Sequence, residues 1–401
     1  MRRICRSATA LLGTAVILAG CTSVQPGHAV PDQALTANAD GAIVALLDPG
    51  NYPTKPSNPM GAAGGRGKIV ESQRMAEYLV LPSDVDKAIA RQGNLNGLGT
   101  AIPLPAVGLI NEFVASGTQE ILESHHYVAG FAAQRFGPTR AMTVMIARFP
   151  DEATAADAAT QLAAVPPPRG TRIPYPIPRH PEALGATFDA GDGAHYVESY
   201  TPHGPYVLYQ FVNSQESEGG AADLVAATLD RQAPRIDEFT PTDPAKLSEL
   251  PLDPTGLYAG TLQQGSDTKD FTQGSYGPQG GLSFEGNTAS MGTLYTDAGV
   301  DTVVRGATVI YQTKDASSAR EFTDALDKDA DSDKAFKPMP PVLGLPESRC
   351  YDGTTGSSGP NNTVFQCVAR VGRYAFRAFS HQKTDVAQRT AAQYLILNSR
   401  R

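Results

Sequence analysis

Two stretches of this chain repeat the same order of apolar and polar residues, and this repeat limits the folds open to the sequence. The run MTVMIARFPDEATAADAATQL ends at Leu162, and TVVRGATVIYQTKDASSAREFTDAL ends at Leu326. In each, a β-rich run stops at an aspartate, Asp151 or Asp315, whose carboxylate suits the position just before a helix. Apolar residues then recur at helical spacing. The chain is therefore predicted to contain the same strand–helix unit twice.

A second pair of matching segments follows each of these units. HGPYVLYQF ends at Phe211 and VGRYAFRAF ends at Phe379, and both contain a G-x-Y turn followed by an alternating strand. Another strand precedes each turn, which predicts a hairpin in both copies. A terminal helix is predicted after each hairpin, around 221–230 and 386–397.

Proline-rich crossings join the two halves of each copy. The runs VPPPRGTRIPYPIPRHP and KPMPPVLGLP cannot form regular helix or strand, because proline lacks the N–H that both require. Hairpins rather than strict strand–helix–strand alternation favour antiparallel pairing. The predicted fold class is α+β, with two related modules, each an antiparallel sheet with helices packed on one face.

One block of the first copy has no match in the second. It runs from GRGKIVESQRMAEYLVLPSDVDKAI to about Ser124, and it is interpreted either as the carrier of a specific function or as a helical cover for one more sheet face. The predicted domains are a signal peptide at 1–20, a flexible tether at 21–44, a first module at 45–240 with this helical block at about 65–124, a linker at 241–254, and a second module at 255–401.

The first residues predict export and lipidation. Arg2, Arg3 and Arg6 precede a short apolar run that is too short to span a bilayer and is typical of a signal peptide. The residues LAGC that end it resemble the bacterial lipobox, so Cys21 is the predicted lipid attachment site. The alternative is an ordinary secretory signal with an incidental cysteine. Fatty acyl chains on Cys21 would hold the protein on the extracytoplasmic face of the cell membrane.

The remaining cysteines predict one disulfide. Cys5 leaves with the signal peptide and Cys21 carries lipid, so Cys350 and Cys367 remain. A lone pair outside the cytoplasm usually oxidises. The alternative is a redox or metal pair, but the spacing differs from C-x-x-C and no histidine cluster accompanies it.

Charge excludes one class of partner. The formal net charge is −8, and no basic stripe interrupts the acidic chain, so we expect no nucleic-acid binding.

Known catalytic motifs do not match. GAAGGRGK, residues 61–68, lacks a glycine at the first required position of a phosphate loop and is followed by Ile69 instead of Ser or Thr, so it is interpreted as a flexible loop. No G-x-S-x-G nucleophile elbow occurs. We therefore predict no catalytic residue and no cofactor-binding residue.

Two histidines raise the hypothesis of a metal site. His195 and His203 flank a predicted hairpin, with Asp189 and Asp192 nearby, but no H-E-x-x-H spacing occurs and the second copy has no histidine at matching positions. A partly exposed hairpin is the preferred interpretation, and no metal site is predicted.

A basic group lies in the first proline-rich crossing. Arg169, Arg172 and Arg179 are interpreted either as a contact for an anionic envelope polymer or as solvated loop charges.

Two segments carry a resemblance to a known family. LDPGNYPTKP, which begins at Leu47, and ESQRMAEYLVLPSDVD, which begins at Glu71, resemble lipoproteins of the DUF7373 type from mycobacteria, nocardiae and their relatives. That resemblance implies an N-terminal domain and a related C-terminal one, and it implies no activity. The overall style is also similar to the extracytoplasmic sensor domains of mycobacterial kinases.

These observations favour a binding or accessory protein of the cell envelope. We expect a cleft between the copies or under the Arg74–Asp86 segment, for an envelope lipid, a glycan or a protein partner. The alternatives are an envelope hydrolase with a dispersed active site and a structural interaction protein without a pocket. A hydrolase predicts a Ser or Asp hydrogen-bonded to His in a concave site, and a scaffold predicts a flat patch.

Overall fold

The computed structural model describes residues 35–93, 99–110, 117–167, 170–263, 271–332, 336–354 and 363–400. Cys21 and the signal segment lie outside the described residues, as does Arg169. None of the described helices combines the length and the low polarity that a bilayer-spanning segment needs.

The first module contains an eight-stranded antiparallel sheet. Its path runs β1-β3-β4-β8-β7-β6-β5, and β2 pairs with β3 beside β1. The strands are β1 (Arg91–Gln92), β2 (Ala101–Pro103), β3 (Ala129–Phe136), β4 (Arg140–Arg148), β5 (Ile173–Pro174), β6 (Leu184–Phe188), β7 (His195–His203) and β8 (Tyr206–Ser214). The helices are α1 (Gly67–Met75), α2 (Pro82–Val85), α3 (Val107–Ile110), α4 (Thr118–Ser124), α5 (Glu152–Ala164) and α6 (Glu218–Asp237).

The second module contains a seven-stranded antiparallel sheet in the order β12-β13-β14-β15-β11-β10-β9. Its strands are β9 (Gly274–Tyr276), β10 (Thr302–Arg305), β11 (Thr308–Gln312), β12 (Phe336–Met339), β13 (Arg349–Thr354), β14 (Thr363–Val371) and β15 (Tyr374–Ser380). Its helices are α7 (Pro278–Leu282), α8 (Thr288–Ala298), α9 (Ala316–Ser332) and α10 (Lys383–Asn398).

The two sheets share one topology. The order β3-β4-β8-β7-β6-β5 of the first returns as β10-β11-β15-β14-β13-β12 in the second, and a helix follows β4 and β11, as well as β8 and β15. The predicted α+β class, with two related modules on antiparallel sheets, is confirmed. The repeat that is visible in the sequence is therefore a repeat of topology.

Helices lie on both faces of each sheet, whereas the sequence analysis placed them on one. Neighbouring residues of β8 divide between the faces, since Val207 packs with α5 and Leu208 packs with α6. In β11, Tyr311 packs with α9 and Ile310 packs with α10. The physical reason is that these central strands carry apolar side chains at successive positions, and successive side chains point to opposite faces. Both faces therefore need a cover.

The aspartates at the start of α5 and α9 cap these helices. The Asp151 carboxylate accepts the backbone N–H of Thr154 at 2.8 Å, and the Asp315 carboxylate accepts that of Ser318 at 2.8 Å. These backbone hydrogen bonds are the leading cause that lowers the pKa of each carboxyl below its ordinary value of 3.8. A lowered folded-state pKa stabilises the fold above the ordinary pKa, and this contribution is lost as the pH falls through the lowered value.

Asp315→Asn is expected to flatten the acid limb of the stability profile. Asparagine caps a helix about as well as aspartate but does not titrate, so the variant should lose less stability than the native chain below about pH 4. Urea midpoints measured at several pH values between neutral and acid conditions check this. Asp324→Asn, at an exposed position of the same helix, is the control and should keep the native profile. Identical profiles for Asp315→Asn and the native chain would contradict the prediction.

The first half of the extra block forms the contact between the modules. Gln73 on α1 donates from its side-chain amide to the backbone oxygens of Phe271 and Gln273, and the Glu77 carboxylate accepts from the backbone N–H groups of Gln279 and Gly280. Burial raises the pKa of Glu77. One continuous apolar core also runs from α1 through both sheets. This segment covers two sheets at once, so its interpretation as a cover for one more face is too narrow.

The second half of the block has a counterpart in the second module that the sequence did not indicate. In the first module, α4 precedes β3, and in the second module α7 and α8 precede β10. Both copies therefore place helix before their first long hairpin. The match was not visible in the sequence, because the helical segments differ in number and length.

The chain before α1 packs on the second module. The Ile43 N–H donates to the Gly344 oxygen at 2.8 Å, and the Ser57 N–H donates to the Ala259 oxygen at 2.9 Å. Asp40 accepts from the Tyr394 hydroxyl at 3.0 Å. The predicted tether at 21–44 is thus docked at its C-terminal end, and the start of the predicted first module at 45 lies against the second. Tertiary contacts alone determine this, since the segment has no periodicity.

The predicted linker is also docked. It forms a 3₁₀ helix over Pro244–Glu249, and its Leu247 is buried. A Cβ on Gly67 would lie 2.4 Å from the Leu247 oxygen, so only glycine fits this start of α1. The glycine-rich run at 61–68 therefore packs closely on the linker and is not merely a flexible loop.

Candidate functional site

A cavity of about 960 Å³ lies where the edge of the first sheet meets the second sheet. We call it the intermodule cleft. The first module contributes Arg91 and Gln92 of β1 and Phe136 at the end of β3, and the second module contributes residues of α8, α9 and its central strands. Its volume is at the upper end of the range for small-molecule sites.

Backbone contacts fix the edge of the cleft. Strand β1 pairs with β3, and the Gln92 N–H donates to the Gly286 oxygen at 2.6 Å. Arg91 forms a β-bridge with Asn287. The cleft wall from the first module is therefore attached to the second module by main-chain hydrogen bonds, which do not depend on side-chain identity.

A buried carboxylate organises one side of the cleft. Glu285 accepts hydrogen bonds from the Tyr295 hydroxyl at 2.9 Å, the Tyr311 hydroxyl at 2.8 Å and the Arg377 guanidinium at 3.0 Å. Burial, followed by the adjacent carboxylate, raises the pKa of Tyr295 well above its ordinary value, so this hydroxyl remains a donor. The charge of Arg377 is thus balanced inside the protein.

Arg305 differs from Arg377 and Arg389, the cleft arginines that have carboxylate partners. Its guanidinium carbon lies 4.3 Å from the centre of the Phe284 ring, a cation–π contact. Its Nε atom is buried and has no hydrogen-bond partner, and none of the ion pairs within the described ranges includes Arg305. Arg389, in contrast, pairs with Asp385 at 2.8 Å. Arg305 therefore brings an uncompensated positive charge to the cleft.

The Arg74–Asp86 segment is the second position where a cleft was expected. It packs into the contact between the modules, and a smaller cavity of about 290 Å³ lies beside its Glu77, next to Arg235 and Gln279. Of the two positions expected for a cleft, the space between the copies is the larger.

The three arginines of the proline-rich crossing do not form one basic surface. Arg172 pairs with the buried Glu198 and lies over the Tyr200 ring, whereas Arg179 pairs with Asp230 on α6 at 2.6 Å. Arg169 lies outside the described residues. Neither of the two interpretations fits Arg172, because its charge is used inside the fold.

His195 and His203 lie at opposite ends of β7. His195 pairs with Glu218 at 2.8 Å and His203 pairs with Asp237 at 2.8 Å, and both carboxylates belong to α6. Within the described ranges, no group of three or more His, Cys, Asp or Glu side chains could hold a metal ion. The histidines of this hairpin attach a helix to the sheet.

Ser124, His125 and Asp157 form an arrangement that superficially resembles a hydrolase triad. His125 Nδ1 lies 3.2 Å from Ser124 Oγ, and His125 Nε2 lies 2.9 Å from Asp157. However, Nδ1 also lies 2.6 Å from the Ile121 carbonyl oxygen, which can only accept a hydrogen bond. Nδ1 therefore carries a proton and cannot take one from the serine. The arrangement does not support Ser124 as a nucleophile.

A disulfide joins Cys350 and Cys367 at directly opposite positions of β13 and β14. Both residues are buried in the core beneath α10. The predicted lipid attachment at Cys21 stays a prediction, because this residue lies outside the described part of the chain.

Sequence analysis did not identify Glu285 or Arg305 as site residues. One signal was present for Arg305, since it comes directly after the apolar residues of its own strand in the run TVVRG. Charged residues in such a position are buried at a cost, and a partner for the charge is then expected. For Glu285 no local signal exists, because its three hydrogen-bond donors come from α8, β11 and β15.

Fold and cleft together define a class: a two-module α+β protein in which a duplicated sheet encloses a cationic and aromatic cleft. Residues 59–252 match the model of the family described as "Domain of unknown function (DUF7373) N-terminal", and residues 257–400 match "Domain of unknown function (DUF7373) C-terminal". The chain therefore belongs to the DUF7373 family. The predicted resemblance to this two-domain family is confirmed.

Other comparisons add little. No curated protein matches the chain. Among solved structures, the extracellular domain of PknH from Mycobacterium tuberculosis is similar at 11% sequence identity and a TM-score of 0.28. That match covers 39% of this chain and 92% of the PknH domain.

Proposed function

We propose that this protein is a lipoprotein of the cell envelope that binds an envelope component in its intermodule cleft. Lipid on Cys21 would hold it on the extracytoplasmic face of the cytoplasmic membrane, and the two modules would act as an accessory or binding unit. The ligand class is an envelope lipid or glycan, or a segment of a protein partner.

The cleft is the single observation that carries the binding role. It combines a volume of about 960 Å³ with an uncompensated arginine and several aromatic side chains, which is a common composition for a ligand site. Two further features support an extracytoplasmic site of action. The sequence LAGC ends an export signal, and the Cys350–Cys367 disulfide suits an oxidising compartment.

Cys21→Ala is expected to move the protein from the membrane fraction to the soluble fraction. Acyl chains on this residue supply about 0.8 kcal/mol per buried CH₂, and none of the described helices is long and apolar enough to cross a membrane. Fractionation of the native host followed by intact-mass analysis checks this. Cys5→Ala is the matched control, because Cys5 leaves with the signal peptide, and it should remain membrane-bound. A native chain with an unmodified Cys21 thiol would contradict the tether.

Mass spectrometry of the purified protein tests the binding role. The Cys21→Ala chain should be purified from its native envelope, and a defined small molecule or peptide in stoichiometric amount is expected. Gln92→Trp places a bulky ring at the mouth of the cleft and should remove that component, whereas Gln215→Trp, at an exposed position outside the cleft, should not. An empty native protein, or a component that Gln92→Trp retains, would contradict binding in the cleft.

A further inference from the structure

The charges that line the intermodule cleft are unequal in sign. Arginines 91, 305, 377 and 389 line it, and Glu285 is its carboxylate within the described residues. Two of these arginines have internal partners, Arg377 with Glu285 and Arg389 with Asp385. Arg305 and the exposed Arg91 take part in no ion pair of the described chain. A ligand in this cleft therefore meets a net positive charge.

Arg305 is built to receive an anion. Its planar group stacks on Phe284, which fixes its orientation before any ligand arrives. Arg305 is half-buried, and its buried Nε atom has no hydrogen-bond partner, which is costly; a carboxylate or phosphate oxygen would satisfy this donor with a charge-assisted hydrogen bond. The fork of donors on arginine suits such planar or tetrahedral oxyanions better than a lysine would.

The cleft also exposes apolar side chains, beside polar ones such as Gln92, Asn287 and Gln366. Phe136 exposes 40% of its surface although it is a large apolar side chain, and it lines the cleft together with Phe336, Leu326 and Phe379. Exposed apolar surface of this kind is common at binding sites. A purely ionic ligand would leave it in water, and a purely apolar one would leave Arg305 unpaired.

Resting on the proposed binding function, we propose that the intermodule cleft binds an anionic amphiphile, with its phosphate or carboxylate head on Arg305 and its acyl tail against Phe136 and Phe336. The ligands of this class share an anionic head and an acyl tail. A phospholipid-type phosphate and a fatty-acid carboxylate are the two sources, and the experiment separates them.

Titration calorimetry on the full chain with Cys21→Ala tests the ligand class, with probes kept below their micelle concentrations. Hexadecyl phosphate is expected to bind at least tenfold more tightly than the neutral hexadecanol, because only the phosphate pairs with Arg305. Octyl phosphate, eight carbons shorter, should bind at least a hundredfold more weakly than hexadecyl phosphate. Tighter binding of hexadecyl phosphate than palmitate indicates a phosphate head, and the reverse order indicates a carboxylate head.

The Arg305→Gln variant tests whether the anionic head of the ligand binds to Arg305. This variant should lower the affinity for hexadecyl phosphate at least tenfold and leave that for hexadecanol within about twofold. Arg320→Gln, an exposed arginine of α9 outside the cleft, is the matched control and should change neither. If Arg305→Gln fails to fold, Arg305→Lys keeps the charge but loses the fork, and it should weaken phosphate binding more than hexadecanol binding.

Two results would overturn this proposal. They are equal binding of hexadecyl phosphate and hexadecanol, and an unchanged phosphate affinity in the Arg305 variants. If no amphiphile binds while a component that Gln92→Trp removes still co-purifies, the ligand class is wrong and the binding function stands. If no amphiphile binds and no such component co-purifies, both the ligand class and the binding function are wrong.

Discussion

Replacing Glu71 by alanine is expected to lower the free energy of unfolding by about 3–5 kcal/mol, because it leaves a buried arginine without its counter-charge. Glu71 on α1 is fully buried and accepts from the Arg148 guanidinium at 2.5 Å, from Arg74 at 2.6 Å and from the Thr242 N–H at 2.9 Å. Arg148 is itself buried, and its Nε atom has no hydrogen-bond partner. Urea denaturation at neutral pH, followed by far-ultraviolet circular dichroism, measures the loss.

The size of this effect follows from where Glu71 lies. It connects three parts of the first module: α1, strand β4 through Arg148, and the start of the linker through Thr242. Glu249→Ala, at an exposed position of the linker helix, is the control and should change stability by less than about 0.5 kcal/mol. Replacing Glu71 and Arg148 together with apolar residues should recover part of the loss, because no buried charge is then left unpaired and only the partly exposed Arg74 loses its carboxylate. A loss below about 1 kcal/mol for Glu71→Ala would contradict this account.

The sequence was most informative where structure is local and repeated. Asp151 and Asp315 were predicted to begin helices, and both carboxylates do cap them. The G-x-Y turns of the two copies were predicted to join hairpins, and β7–β8 and β14–β15 are those hairpins. Caps, turns and strand periodicity depend on a few neighbouring residues, which explains why they could be identified without any tertiary information.

Contacts between distant segments could not be predicted from the sequence. The end of the predicted tether and the start of the predicted first module, on either side of residue 45, dock on the second module through main-chain hydrogen bonds that any sequence could make. The Glu71 segment was recognised as an addition, but its place between the modules depends on Gln73 and Glu77 meeting backbone groups about 200 residues away. No periodic signal encodes such pairings.

The candidate site also has one feature that the sequence predicted and others that it did not. A cleft between the copies was predicted from the duplication itself, since interfaces between modules are common places for clefts. Its chemistry was not predicted, because Glu285, Tyr295, Tyr311 and Arg377 come from separate elements that only the fold brings together. Conversely, His195, His203, Arg172 and Arg179, which looked notable in sequence and lie in the described ranges, are each paired with a carboxylate that the linear order did not reveal.

Removing the disulfide is expected to lower the free energy of unfolding of the second module by about 3 kcal/mol on the chain-entropy estimate. Cys350 and Cys367 are 17 residues apart, and they face each other across β13 and β14. Without the bond, the unfolded chain gains the freedom that this closed loop had removed, while the native strands still pair. Cys350→Ala with Cys367→Ala, compared with the native chain by urea denaturation, measures the difference.

A reductant provides the matched control for this prediction. Adding it to the native chain should shift the urea midpoint to nearly that of the double alanine variant, whereas the variant itself should not respond, because it has no disulfide to reduce. The shift should be larger for a probe in the second module, such as a label near α10, than for one near α5, since the bond lies in the core beneath α10. A native chain whose unfolding midpoint does not respond to the reductant would show that the bond between β13 and β14 contributes little, and that apolar packing around Ala369 and Phe376 alone stabilises this part of the sheet.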